Sequence, residues 1–191
     1  MCLSQIGKLL YLSLMFVIFC CTVVGTFTPH WRDLYKNGNS DDSIGHIGLK
    51  GGCDMSSNTE EPYNSYCTQW DNKKPNYENT VKGFLYAAMA IQILAMGWVM
   101  LSCLAFCYHS RFMHALSAWS ALILMCLAVA VIAFLAYKEK TLQISDFNNN
   151  TFEMTVKVGY SFDLIAAATA CSIISIVIGA MTSWLSDQPF C

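Results

Sequence analysis

Residues 115–137 read ALSAWSALILMCLAVAVIAFLAY, 23 positions without an acidic or basic side chain, and the run stops at Lys138-Glu139-Lys140. A hydrocarbon core of about 30 Å takes roughly 20 apolar helical residues to cross. The apolar residues fall on every face of a helix, unlike the single stripe of a soluble amphipathic helix. Three further stretches have this character. The first runs from Leu9 to about Phe27, flanked by Lys8 and Arg32 and closed by Pro29. The second lies between Lys82 and Arg111, with His109 near its end, and the last begins near Asp163 and ends before Asp187 and Pro189. The predicted spans are therefore about 9–28, 83–108, 115–137 and 163–185, joined by loops at about 29–81 and 138–162.

Composition agrees with a chain whose solvent is lipid. Of 191 residues, 55% are hydrophobic and 13% charged, with a mean hydropathy of +0.42. A soluble domain has about a quarter of its residues charged. A net charge of -2 supplies no basic stripe for nucleic acid, and 13% aromatics with four prolines exclude a disordered or collagenous chain.

An even number of spans puts both termini on one side and the two larger loops on the other. The positive-inside rule barely discriminates, because Lys8 and Arg111 lie on the termini side while Lys138, Lys140 and Lys157 lie in the second loop. Two other features decide the expectation. Cys53 and Cys67 lie in the first loop, and Asn149-Asn150-Thr151 in the second matches a glycosylation acceptor at Asn149. Disulfides and glycans both belong to the exoplasmic compartment. The expected protein is thus multi-pass in the plasma membrane, with cytoplasmic termini. Val23-Val24-Gly25 would suit a signal-peptide cleavage site, but an apolar run of about nineteen residues is long for one, so an uncleaved anchor is expected.

The ten cysteines sort by depth. Cys20, Cys21, Cys103, Cys126 and Cys171 fall within spans and read as small buried apolar residues. Cys53 and Cys67 are the two in an oxidising loop, and a bridge between them would close about 15 residues, stabilising by ~3 kcal/mol on the chain-entropy account. Cys2, Cys103 and Cys107 are candidates for palmitoylation at the membrane face.

The first loop alternates strand-like runs with turns. Trp31–Tyr35 precedes Asn37-Gly38, Ile44–Leu49 precedes Lys50-Gly51-Gly52, and Tyr66–Trp70 precedes Asp71-Asn72. Aromatic and β-branched runs cut by such turns predict a small antiparallel sheet built from this loop. Too small to bury its own core, it needs the disulfide and the bundle beneath it. The predicted fold class is an all-α membrane protein, a four-helix bundle bearing a small extracellular sheet, as one domain over 1–191.

Trp31, Gly48-Leu49, Cys53, Cys67 and the basic Lys82 opening the second span resemble the claudin pattern W…GLW…C…C…R. The four spans and the unequal loops extend that resemblance over the whole chain. It covers the wider superfamily of peripheral myelin proteins, epithelial membrane proteins and AMPA-receptor regulatory proteins. Lys50 stands where the pattern has its second tryptophan, and Lys82 where it has arginine, marking a divergent member. The resemblance implies that Trp31 lies at the base of the sheet, with Gly48 and Leu49 in an adjoining strand. A tryptophan at a span end also suits the interfacial belt.

The 29–81 loop carries five basic and eight acidic residues, a balance of −3. In a pore-forming claudin such charges select ions by sign, and Asp71, just past the second cysteine, is the first candidate. The alternative is that they only keep the loop solvated. A claudin tail binds scaffolds by strand addition, for which Asp187-Gln-Pro-Phe-Cys191 is poorly suited, since Pro189 has no backbone donor.

In the fourth span Ala167, Cys171, Ser175, Gly179 and Ser183 recur every four residues, a small-residue stripe for close helix packing. Gln92 in the second span suits an interhelical hydrogen bond. There is no phosphate loop, HExxH, CxxC or spaced Ser-His-Asp set. His30, His46, His109 and His114 read as too scattered for a metal site. Neither enzymatic activity nor a cofactor or metal is expected. The expected partners are the bilayer and, at cell contacts, copies of itself or other junction proteins in cis and trans, forming or regulating a barrier. The alternative is an auxiliary subunit docked on a larger channel or receptor.

Overall fold

Four long helices alternate with two groups of strands, in the order α1 (Cys2–Phe27), β1 (Arg32–Lys36), β2 (Ser43–Ile47), β3 (Cys53–Met55), α2 (Asn76–Leu104), α3 (His114–Ala136), β4 (Thr141–Ser145), β5 (Thr151–Val158) and α4 (Tyr160–Asp187). This computed structural model describes residues 2–36, 43–50, 52–55, 76–104, 114–136, 141–145 and 151–187. All four helices are long and apolar enough to cross a membrane, through Ile6–Phe27, Tyr77–Ser102, Ala115–Ala136 and Tyr160–Trp184.

The helices pack as a ring, α1 on α2 and α4, and α3 on α2 and α4. Their polarity is inverted relative to a soluble bundle. Leu9, Phe16, Leu94, Leu101, Met125, Ile132 and Val177 are half or more exposed on the outside, while Thr22, Gln92, Ser120, Ser172 and Ser175 are fully buried. Lipid accepts the first group, and interhelical or backbone hydrogen bonds satisfy members of the second. Gln92 Nε2 donates to Thr22 Oγ1 at 3.2 Å. Tyr11 Oη donates to the Leu116 carbonyl at 3.0 Å and lies 2.7 Å from Ser120 Oγ. At the termini end the buried Lys8 donates to the Ser102 carbonyl in the last turn of α2, where the helix dipole favours a cation.

Small residues set the helix spacing. A Cβ on Gly25 of α1 would stand 2.7 Å from Ile165 Cδ1, and one on Gly7 2.7 Å from Thr182 Oγ1, so α1 and α4 touch at both ends. Gly179 rests against the backbone of α3 at Ser117. Of the stripe expected in the fourth span, Ser175, Gly179 and Ser183 are buried, Cys171 is half-buried and Ala167 is exposed. A strict four-residue repeat overshoots each helical turn by about 40°, so it walks off the buried face. The face that stays buried follows Ile165, Ala168, Ser172, Ser175, Gly179 and Thr182, alternating steps of three and four.

Two features differ from those read in the sequence. The second helix begins at Asn76 rather than near 83, because helix continues past the apolar window through Glu78 and Lys82. The sheet also draws on both loops. Its order is β3-β2-β1-β5-β4, antiparallel throughout, so the β4–β5 hairpin of the second loop joins the first through the β1–β5 ladder. The Thr151–Val158 segment has the required period of two, with Phe152, Met154, Val156 and Val158 alternating with Thr, Glu, Thr and Lys. The Tyr66–Trp70 strand expectation lies outside the described residues.

The sheet has two unlike faces. Directly opposed residues share a face, and register aligns Arg32 with Ile47 and Val158, and Leu34 with Gly45 and Val156. Of these, Arg32, Leu34, Gly45, Ile47 and Val156 are buried and Val158 half-buried. The other row runs Asp54, His46, Asp33, Lys157 across β3, β2, β1 and β5, and is partly or fully exposed.

Candidate functional site

The junction between sheet and bundle is built around Trp31 and Arg32. Pro29 ends α1: the residue before a proline is disfavoured in helix, and Thr28 is that residue. The chain then turns so that Trp31 folds back under the sheet. Its ring is 2% exposed, and Nε1 donates to the Gly25 carbonyl at 2.7 Å, satisfying an acceptor in the last turn of α1. Phe134 of α3 and Phe162 of α4 meet the ring edge-on at centroid distances of 5.1 and 6.2 Å. Trp31 is therefore a core residue, not one of an interfacial belt. Replacing it by Phe keeps most of the apolar contact but strands the Gly25 carbonyl, an expected loss of about 1–3 kcal/mol. The unfolding midpoint in mild detergent measures it.

Beside it, Arg32 points from β1 into the bundle. Nη1 donates to Glu78 Oε1 at 3.2 Å with both side chains nearly sealed from solvent, at 6% and 3% exposure. Nη2 donates to Tyr77 Oη. The guanidinium also lies 5.2 Å from the Phe134 ring centroid and 5.7 Å from that of Tyr77. Glu78 sits in the first turn of α2, where the dipole favours an acid. One side chain thus fastens β1 to α2 and α3. Arg32 and Glu78 both count in the sequence as loop charges, yet neither faces water. Lys82, the basic residue matched to the claudin arginine, is half-exposed on α2.

The Gly48-Leu49 segment closes the turn after β2. Gly48 N donates to the Gly52 carbonyl at 2.9 Å, and Gly52 has φ of 77°, a left-handed conformation that favours glycine. Leu49 is 2% exposed within the core that holds Trp31. Lys50, in place of the second tryptophan, is exposed with its ammonium 4.4 Å from the Phe27 ring centroid. It thereby covers part of an exposed aromatic at the end of α1 by a cation–π contact.

On the outward face the fold assembles what looked scattered in sequence. His30, Asp33 and His46 come together, with ring nitrogens and a carboxylate oxygen all within 4.8 Å of one another. The Asp33–His46 register across β1 and β2 carries that proximity.

Of the remaining expected residues, Cys53 opens β3. Cys67, Asp71, Asn149 and Cys107 lie outside the described residues, with Asn149 in the connection between β4 and β5. Cys2 begins α1 and Cys103 lies in the last turn of α2. Comparison with protein-family models and with curated proteins returned no match.

Proposed function

We propose that this chain is a claudin-like membrane protein of cell–cell contacts, where it forms or regulates a barrier or an adhesive contact in the plasma membrane. The observation that carries the reading is the union of both loops in one sheet, fastened to the bundle by Trp31 and Arg32. That construction holds a sheet rigidly above four spans, as engagement of an opposing membrane requires, and turns a charged row outward. In this reading the sheet is extracellular, the termini are cytoplasmic, and Cys53 is bridged to Cys67. Asp71 is the candidate charge for selecting ions, and Cys2, Cys103 and Cys107 are candidates for acylation on the opposite side.

Topology is tested first by chemistry on the loops. Glycosidase should shift the wild-type band and leave an Asn149→Gln band unmoved, while Cys53→Ser and Cys67→Ser should lower surface expression equally. Surface levels equal to wild type in both serine variants count against the bridge. Function is tested by co-expressing two differently tagged copies and purifying one in mild detergent. Recovery of the second copy, without a larger channel in fixed proportion, supports the junction reading. A stoichiometric channel or receptor in its place supports an auxiliary subunit.

A further inference from the structure

We propose that His30, Asp33 and His46 form a binding site for one divalent cation of the zinc type on the outward face of the sheet. Asp33 Oδ1 lies 2.8 Å from His46 Nδ1 and 3.4 Å from His30 Nδ1. Around a zinc ion with bonds of about 2.0–2.2 Å, tetrahedral ligand atoms stand roughly 3.3 Å apart. The two distances to Asp33 bracket that spacing and all three donors lie within 4.8 Å of one another, so small side-chain rotations close the set around an ion in place of the hydrogen bonds to Asp33. The donor set is two imidazole nitrogens and one carboxylate oxygen. That composition suits zinc and its late transition-metal neighbours, whereas calcium and magnesium take oxygen ligands.

The donors are held by backbone that the fold fixes for other reasons. Asp33 and His46 are opposed residues of the β1–β2 ladder. The carbonyl of His30 accepts from Ser161 N at 3.1 Å, which ties it to the start of α4. The Tyr160 ring packs on the His30 ring with centroids 4.8 Å apart, and the two imidazoles stand 3.9 Å apart. Side-chain exposures of 26%, 20% and 31% for His30, Asp33 and His46 leave the cluster open to solution. An ion can enter and keep a water as its fourth ligand. The nearest cation by register is Lys157, opposite Asp33 on β5, and its ammonium rests 4.4 Å from the Tyr35 ring centroid. A bound ion would clamp three places at once: the segment entering β1, β1 itself and β2.

The test uses the full chain purified in mild detergent and stripped with EDTA. Equilibrium dialysis against zinc should load one ion per wild-type chain, and zinc, unlike calcium, should raise the thermal unfolding midpoint saturably. Asp33→Asn keeps the side-chain shape and should weaken zinc at least about tenfold, the lower end for losing even an outer-shell partner. His46→Gln and His30→Gln should abolish the zinc-dependent rise. The midpoint of each variant in EDTA reports whether it still folds, and Asp33→Asn serves if a histidine variant does not. Equal zinc affinity in wild type and Asp33→Asn, or no saturable zinc on wild type, overturns the proposal.

Discussion

Arg32→Met and Glu78→Met should each destabilise the protein by about 3–5 kcal/mol, because either change leaves the opposite charge buried without the ion pair that offsets its desolvation. The double variant should cost less than either single one. Breaking a buried pair strands an ion, whereas replacing both members by apolar side chains removes the desolvation penalty of each. The prediction is sharp here because the pair sits at 6% and 3% exposure, out of reach of the screening that weakens surface bridges. Unfolding midpoints in mild detergent, with surface delivery in cells as a second readout, check it. Additive losses in the double variant would mean that the two residues act independently, and that β1 is fastened to α2 by something else.

Gly159→Ala should also be strongly destabilising, at or above the top of the range of about 1–3 kcal/mol for overpacking. A Cβ built there would stand 2.1 Å from the His30 carbonyl oxygen and 2.7 Å from its carbon. The obstacle is backbone and cannot swing aside. The Trp31 carbonyl accepts from Gly159 N at 3.1 Å, and the His30 carbonyl accepts from Ser161 N at 3.1 Å. Backing away breaks the bonds that join the end of β5 and the start of α4 to the entry of β1. Gly83→Ala and Gly97→Ala are the contrast, since a Cβ at either meets nothing within 4 Å. Both are helical, and alanine there should be neutral or stabilise by up to about 1 kcal/mol. Equal behaviour of all three variants in surface delivery would refute the packing account.

How much of this was legible in the sequence follows from the range of each signal. The spans were, because hydrophobicity over about 20 residues is a local property that lipid reads directly. The strands after Trp31 and before Lys50-Gly51-Gly52 were, because turn residues and alternation are equally local. The β4–β5 hairpin carries the same alternation from Phe152 to Val158, but its pairing with β1 of the other loop has no local signal. The Arg32–Glu78 pair and the His30–Asp33–His46 cluster were not legible. Each joins residues distant in sequence, and their meeting depends on the β1–β2 register and on where α2 starts. Lys82 shows the cost of motif matching. It occupies the expected position, while Arg32 is the cation that enters the junction.

The small-residue stripe shows the same limit in one dimension. Of the residues spaced by four, Ser175, Gly179 and Ser183 are buried and Ala167 is exposed. The buried face was readable only with steps of three and four together, the rhythm of packed helices.

The central claim, engagement of an opposing cell through the sheet, is tested most directly in mixed cultures of a cell line without junctions of its own. Cells expressing the fluorescently tagged chain are plated with cells lacking it, and fluorescence is measured along each kind of contact. Enrichment where two expressing cells meet, and its absence where an expressing cell meets a non-expressing one, is the predicted result. Uniform fluorescence around expressing cells, whatever they touch, would contradict it.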